Sequence, residues 1–319
     1  MTMSEFVDRR RGTLIGLAVG DALGAAVEFE SPGAFLPVTT YRDGGPHGLE
    51  AGQWTDDTSM ALALADSIAA GGWNLNDQAD RYVQWMRTGK YSVNGKCFDI
   101  GMATHKALTN YLVIKDARIS GSRSEMASGN GSIMRLAPVP IRYAHLYPTG
   151  LEELSRLAEE SSLPTHASQQ CLSACRYLAV VLAALMNGED RQVVLSPDWE
   201  PLRRMDLAKP VQPLIREVAQ GSFKHKEPPE IQGSGWVVRS LEAALWAFHK
   251  AESFEDAVLR AVNLGDDADT TGAICGQLAG AYWGESKIPE SLRVGLARGD
   301  MLENALSGIM RDGPGKPGD

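Results

Sequence analysis

Basic side chains are in short supply. The 319-residue chain sets 31 lysines and arginines against 40 aspartates and glutamates, a formal charge of −9 and a pI near 5.3. That balance argues against general nucleic-acid or anionic-lipid binding, so any phosphate must be held locally. The four cysteines (Cys97, Cys171, Cys175, Cys275) form no CxxC pair, and the six histidines show no HxxxH or HExxH spacing. A disulfide framework and a structural zinc site are therefore disfavoured, and a reduced, cytoplasmic protein is expected. No apolar run reaches the roughly 20 residues of a membrane span. Near the start, Arg9 to Arg11 lead into glycine-interrupted text with Asp21 rather than a signal-peptide core. No GxGxxG follows a strand, no solenoid-length repeat recurs and no heptad run is left over, so a Rossmann site is unsupported and a monomer is expected.

What the chain does have is helical text. Thr58 to Ala70, Ser168 to Met186, Val237 to His249 and Phe254 to Val262 repeat apolar residues every three or four positions, while strand-like alternation is scarce. Thr58 is expected to cap one helix, Gly71-Gly72 to end it, and Ser253 to cap another. The expectation is an all-α fold of ten or more helices. Ser31 to Gly52, Ile119 to Ser132 and Ser196 to Gly235 break the pattern and read as loops on one core, giving a single domain over residues 1–311. The tail Asp312 to Asp319, DGPGKPGD, is expected to be disordered.

Two acidic clusters carry the chemistry. Gln53-Trp54-Thr55-Asp56-Asp57-Thr58 joins a Gly-rich loop to an apolar helix, and Gly265-Asp266-Asp267-Ala268-Asp269-Thr270-Thr271 repeats the composition roughly 210 residues later. Acidic residues in a first helical turn gain about 0.3–1 kcal/mol from the helix dipole, so capping alone could account for them. Brought together bare, they would repel and raise one another's pKa, a penalty that a hard cation removes. Oxygen donors without nitrogen or sulfur suit Mg²⁺, Mn²⁺ or Ca²⁺, and Asp56, Asp57, Asp267 and Asp269 carry the charge that offsets two divalent ions. Spacing leaves both readings open.

Several separated motifs, in order, resemble the ADP-ribosylglycohydrolases, the group that includes dinitrogenase reductase activating glycohydrolase and the ADP-ribosylarginine hydrolases. They are Gly16-Leu17-Ala18-Val19-Gly20-Asp21-Ala22-Leu23-Gly24 with Glu28, Trp54 to Thr58, Cys97-Phe98-Asp99-Ile100-Gly101, Gly129-Asn130-Gly131-Ser132-Ile133-Met134-Arg135, Thr165-His166, and Gly265 to Thr270. The resemblance implies an all-α fold with two Mg²⁺ or Mn²⁺ ions, held by Thr55, Asp56 and Asp57 and by Asp267, Asp269 and Thr270. It departs at Asp266, where the family often has glycine.

The resemblance further implies cleavage of the N-glycosidic bond between ADP-ribose and an acceptor such as a protein arginine, with ADP-ribose as product. Asp99 is then the candidate for completing proton transfer and meeting a guanidinium, its bland alternative being a helix cap. Glu28, after the GDALG turn, is the second candidate, as a gate or proton carrier, and Asp21 organises that turn. Gly129, Asn130, Gly131 and Ser132, leading to Met134, can present backbone N–H groups to a diphosphate ahead of a helix start, though taken alone such a loop is usually just a loop. His166 is assigned as a neutral hydrogen-bonding imidazole and Trp236 as a stacking aromatic, where relatives often carry tyrosine; Trp246 reads as core. The alternatives are another acceptor (serine, a nucleic-acid base or a small molecule), or an ADP-ribose binder or toxin-neutralising immunity protein.

Overall fold

The computed structural model describes residues 1–311; the expected disordered tail lies outside the described residues. Fifteen α-helices are described: α1 (Met3–Gly24), α2 (Asp56–Gly71), α3 (Leu75–Thr88), α4 (Met102–Ile114), α5 (Pro138–Tyr143), α6 (Leu151–Ser162), α7 (Gln169–Met186), α8 (Arg191–Val194), α9 (Glu200–Ala208), α10 (Pro213–Ala219), α11 (Val237–Lys250), α12 (Phe254–Val262), α13 (Ala268–Trp283), α14 (Glu290–Gly295) and α15 (Gly299–Ile309). Among the described residues no strand forms, and the β-bridges are isolated ones at Gly44–Leu49, Ser122–His166 and Gly129–Trp236. The all-α expectation is met.

The axis of the fold is a seam between α1 and α13, far apart in sequence. Glycines recur every fourth residue on each: Gly12, Gly16, Gly20 and Gly24 on α1, and Gly272, Gly276 and Gly280 on α13. Residues four apart share a helical face, so each helix presents a strip without side chains. The backbones approach closely enough that a Cβ at Gly20 would lie 2.0 Å from the Gly272 carbonyl oxygen, and one at Gly276 would lie 1.9 Å from that of Gly16. Beside the seam, α7 buries Leu178 to Met186 completely. This 18-residue helix has a mean hydropathy of 1.3 and is 94% buried within the protein, which accounts for its apolar composition.

The four expected helices form as α2, α7, α11 and α12, the last with the expected bounds. Ser253 caps α12, its hydroxyl accepting from the Asp256 N–H at 3.1 Å. Three local expectations are corrected. Thr58 lies inside α2, whose N-cap is Thr55. GDALG is the final stretch of α1 rather than a turn, because its glycines face α13 instead of ending the helix. Ser196 to Gly235 is partly helical: Pro201 and Pro213 occupy the first turns of α9 and α10, where a missing N–H breaks nothing.

Candidate active site

The seam delivers two acidic helix starts to one place. Asp21, buried on α1, accepts hydrogen bonds from Thr55 N–H (2.8 Å) and Oγ1 (2.9 Å) and from Thr58 N–H (3.0 Å) and Oγ1 (2.6 Å). It thereby satisfies the first N–H groups of α2 in the role a local cap would play. From the other side, Thr55 Oγ1 lies 3.1 Å from Asp269 Oδ2, and Thr270 Oγ1 lies 3.3 Å from Asp57 Oδ2. The two clusters read from the sequence therefore interlock.

Ligand atoms of Asp21, Asp57 and Asp269 lie within 4.8 Å of one another, as do those of Glu28, Asp267 and Asp269. Asp56 is buried and lines the cleft, as Thr270 does, outside both triads. Burial raises the pKa of Asp56, Asp57 and Asp269 well above the carboxylate range, and neighbouring carboxylates raise them further. Asp21 is pushed up to about 6 by burial, partly offset by its hydrogen bonds from Thr58 and Thr55. Asp57 Oδ1 and Asp269 Oδ1 are buried without a hydrogen-bond partner. Orphaned oxygens among several mutually repelling carboxylates have the chemistry of a site for hard cations, and these acidic clusters can hold metal ions.

Above this floor lies a cleft of about 960 Å³. On one side Glu28 and Asp99 share His47, whose Nε2 lies 3.0 Å from Glu28 Oε2 and 3.1 Å from Asp99 Oδ1. Burial together with Asp99, Asp267 and Asp21 lifts Glu28 to about 9, and burial with Asp21 and Asp267 lifts Asp99 to about 7. Asp99 is not a helix cap: α4 begins at Met102 with Gly101 as its N-cap.

The facing side is made of backbone and rings. Asn130 Nδ2 donates to Asp267 Oδ2 at 2.8 Å, its N–H donates to Gly235 O at 3.1 Å, and Gly129 bridges to Trp236. Gly129, Gly131, Met134, His166 and Trp236 line the cleft, while Ser132 is buried beneath it. The missing side chains have a local cause as well, since a Cβ on Gly131 would lie 2.8 Å from His166 Cε1. Burial and then the nearby Arg135 push His166 down to about 3, so it is neutral, with Nδ1 2.9 Å from Thr165 Oγ1. Buried Arg135 ties the loop to this segment through Gly131 O (2.9 Å) and Thr165 Oγ1 (2.7 Å). Trp236 Nε1 donates to Gln170 Oε1 at 2.6 Å. No helix starts behind the loop, contrary to expectation: Ile133 and Met134 N–H turn back onto Asn130 O, and α5 begins only at Pro138.

A family model described as ADP-ribosylglycohydrolase matches residues 2–316. The chain belongs to the ADP-ribosylglycohydrolase family. It is 39% identical over 302 residues to the ADP-ribosylarginine hydrolase Tri1 of Serratia proteamaculans, covering 94% of this chain and 78% of that protein. It is 41% identical over 290 residues to Tri1 of Pseudomonas putida, covering 91% and 74%. Against the ADP-ribosyl-[dinitrogen reductase] glycohydrolase of Rhodospirillum rubrum, identity is 31% over 294 residues, covering 91% and 90%. A solved structure titled ADP-ribosylglycohydrolase-related protein complex superposes with a TM-score of 0.83 at 40% identity, covering 97% of this chain and 99% of that one. This glycohydrolase thus has the fold and hydrolase class that its motifs implied.

His47 is the site residue that the sequence does not single out, and Asp21 is one that it reads only as organising a turn. Asp21 had a signal, since a carboxylate inside a helix whose glycines pack against another backbone is a buried charge in need of donors. His47 had none, because its neighbours Glu28 and Asp99 are remote in sequence.

Proposed function

We propose that this glycohydrolase removes ADP-ribose from arginine side chains of modified proteins by hydrolysing the N-glycosidic bond, with two Mg²⁺ or Mn²⁺ ions, acting as a cytoplasmic monomer. The observation that carries the reading is the interlocking of Thr55–Asp57 with Asp267–Thr270 beneath a cleft whose other wall is a glycine loop. The arginine acceptor is supported by the two Tri1 relatives, and the cytoplasm by four free cysteines.

In this reading Thr55, Asp56, Asp57, Asp267, Asp269 and Thr270 hold the ions, with Asp21 fixing Thr55 and the α2 start. The ions would supply positive charge that fixes ribose hydroxyls and acidifies water. Gly129 and Gly131 offer backbone N–H groups to the diphosphate, the Asn130 N–H between them being taken by Gly235 O, a local answer to the phosphate problem of an acidic protein. His166 offers an uncharged ring, and Trp236 a stacking face. As the bond from the anomeric carbon to the guanidinium nitrogen breaks, positive charge develops on the ribose, and the buried carboxylates stabilise it. Asp99 takes the proton of the incoming water, its carboxyl held above the usual carboxylate range by burial. Glu28 stands beside it as a second proton carrier.

The test is release of ADP-ribose from an arginine-ADP-ribosylated protein with Mg²⁺, with Mn²⁺ and with EDTA. Metal-dependent release, lost in Asp57→Ala and Asp267→Ala, is the expected result. Binding of ADP-ribose without release would move the reading to another acceptor or to a binder.

A further inference from the structure

An exposed aromatic at the cleft sits in a conformation its residue type avoids. Phe29 is 67% exposed, and its φ of 64° is in the left-handed region, which an L side chain enters only under strain. Two backbone hydrogen bonds lock it there: Phe29 N–H to Asp266 O at 2.7 Å and Asp266 N–H to Glu30 O at 2.8 Å. Glycine would occupy position 29 without strain. The ring takes no part in the hydrophobic core, yet it lines the cleft. Strain held in place at a site, for a side chain that adds nothing to the core, points to a role in binding.

Its position says which part of a substrate it meets. Phe29 follows Glu28, whose carboxylate joins His47 and Asp99, and its backbone is tied to Asp266. The glycine loop is joined to the neighbouring residue, through Asn130 to Asp267. A ring lining the same cleft as the Glu28 and Asp99 carboxylates suits a flat cation, since a guanidinium within about 6 Å of a ring face is attracted to it while the carboxylates meet its charge. We propose that Phe29 determines acceptor specificity by stacking on the guanidinium of an ADP-ribosylated arginine, an inference that rests on the arginine reading above.

Steady-state kinetics of wild type, Phe29→Gly and Phe29→Tyr on the arginine-modified protein, with melting curves and ADP-ribose titrations, test this. For Phe29→Gly the expected results are a KM raised about tenfold, kcat within about twofold, ADP-ribose affinity unmoved because the acceptor is absent, and a melting temperature unchanged or raised as strain is relieved. Phe29→Tyr keeps the ring and is expected to restore KM. Wild-type turnover with an unmoved KM in Phe29→Gly overturns this proposal alone, and so does a lowered melting temperature with weakened ADP-ribose binding, which would make the ring structural. Absence of wild-type turnover overturns the arginine reading and this one with it.

Discussion

The two walls of the cleft are built on opposite principles. The carboxylate wall concentrates Asp21, Glu28, Asp56, Asp57, Asp99 and Asp269, each raised in pKa by burial and most of them by one another. It is unfavourable in isolation and is forced together by the glycine seam. The glycine-loop wall is made differently: Gly129 and Gly131 offer backbone, His166 is neutral, and Arg135 is tied to Gly131 O and Thr165 Oγ1. One wall stores repulsion that a cation can relieve, while the other presents backbone and an uncharged ring, so the protein can hold an anion without surrounding it with cations.

The contrast breaks first at the foundation of the carboxylate wall. Gly276→Val would drive side-chain carbon into the Gly16 carbonyl and is expected to cost more than about 4 kcal/mol, leaving no cooperative melt by circular dichroism. Gly71→Ala, where a Cβ meets nothing within 4 Å, is the control and should melt like wild type. Next comes the charge itself. Asp57→Asn is expected to cut ADP-ribose release by about a thousandfold while raising the melting temperature of the metal-free protein, because a buried repelling carboxylate becomes neutral.

A pH series tests whether the repulsion is confined to one wall. Asp21, Asp99 and Glu28 bind protons more tightly folded than unfolded, so between the ordinary carboxylate range and their folded values the native state holds the extra protons. Stability from these groups is full below about pH 4 and is lost as pH rises through about 6, 7 and 9. The difference in melting temperature between Mg²⁺-loaded and metal-free protein should therefore widen from pH 5 to pH 9; a constant difference would refute the assignment. Smaller and on the other wall, Gly131→Ala would press on His166 and should weaken ADP-ribose about tenfold by calorimetry, with metal affinity within twofold. Smallest is Asp266→Gly. Asp266 has a φ of 53°, which explains why glycine is common there in the family, and the change should add about 0.5–1 kcal/mol to stability by chemical denaturation.

What was legible in the sequence follows the same division. The acidic helix starts at Asp56–Asp57 and Asp267–Asp269 were readable because composition and periodicity mark them locally. Their meeting was not, because nothing local says that α1 and α13 touch. A signal was present all the same: glycine at every fourth position in two remote helices marks two faces that exclude side chains, and such faces fit each other. The loop over 129–132 was legible as glycine-rich, but its reason was not, since the His166 ring that fills the space comes from the segment between α6 and α7. Pro201 and Pro213 misled because proline opens a helix as readily as it ends one.

The seam also sets when the enzyme can first exist. The α1 helix is made early, and more than 240 residues are added before α13 begins. Until then Asp21 can meet Thr55 and Thr58 but not Asp269, and Gly12 to Gly24 leave a bare strip of backbone without α13 to cover it. A nascent chain halted before residue 268 therefore has no way to assemble the carboxylate wall, whatever its helices have formed. Activity should arrive late in synthesis and all at once, and the exposed strip makes an unfinished chain a natural client for chaperones.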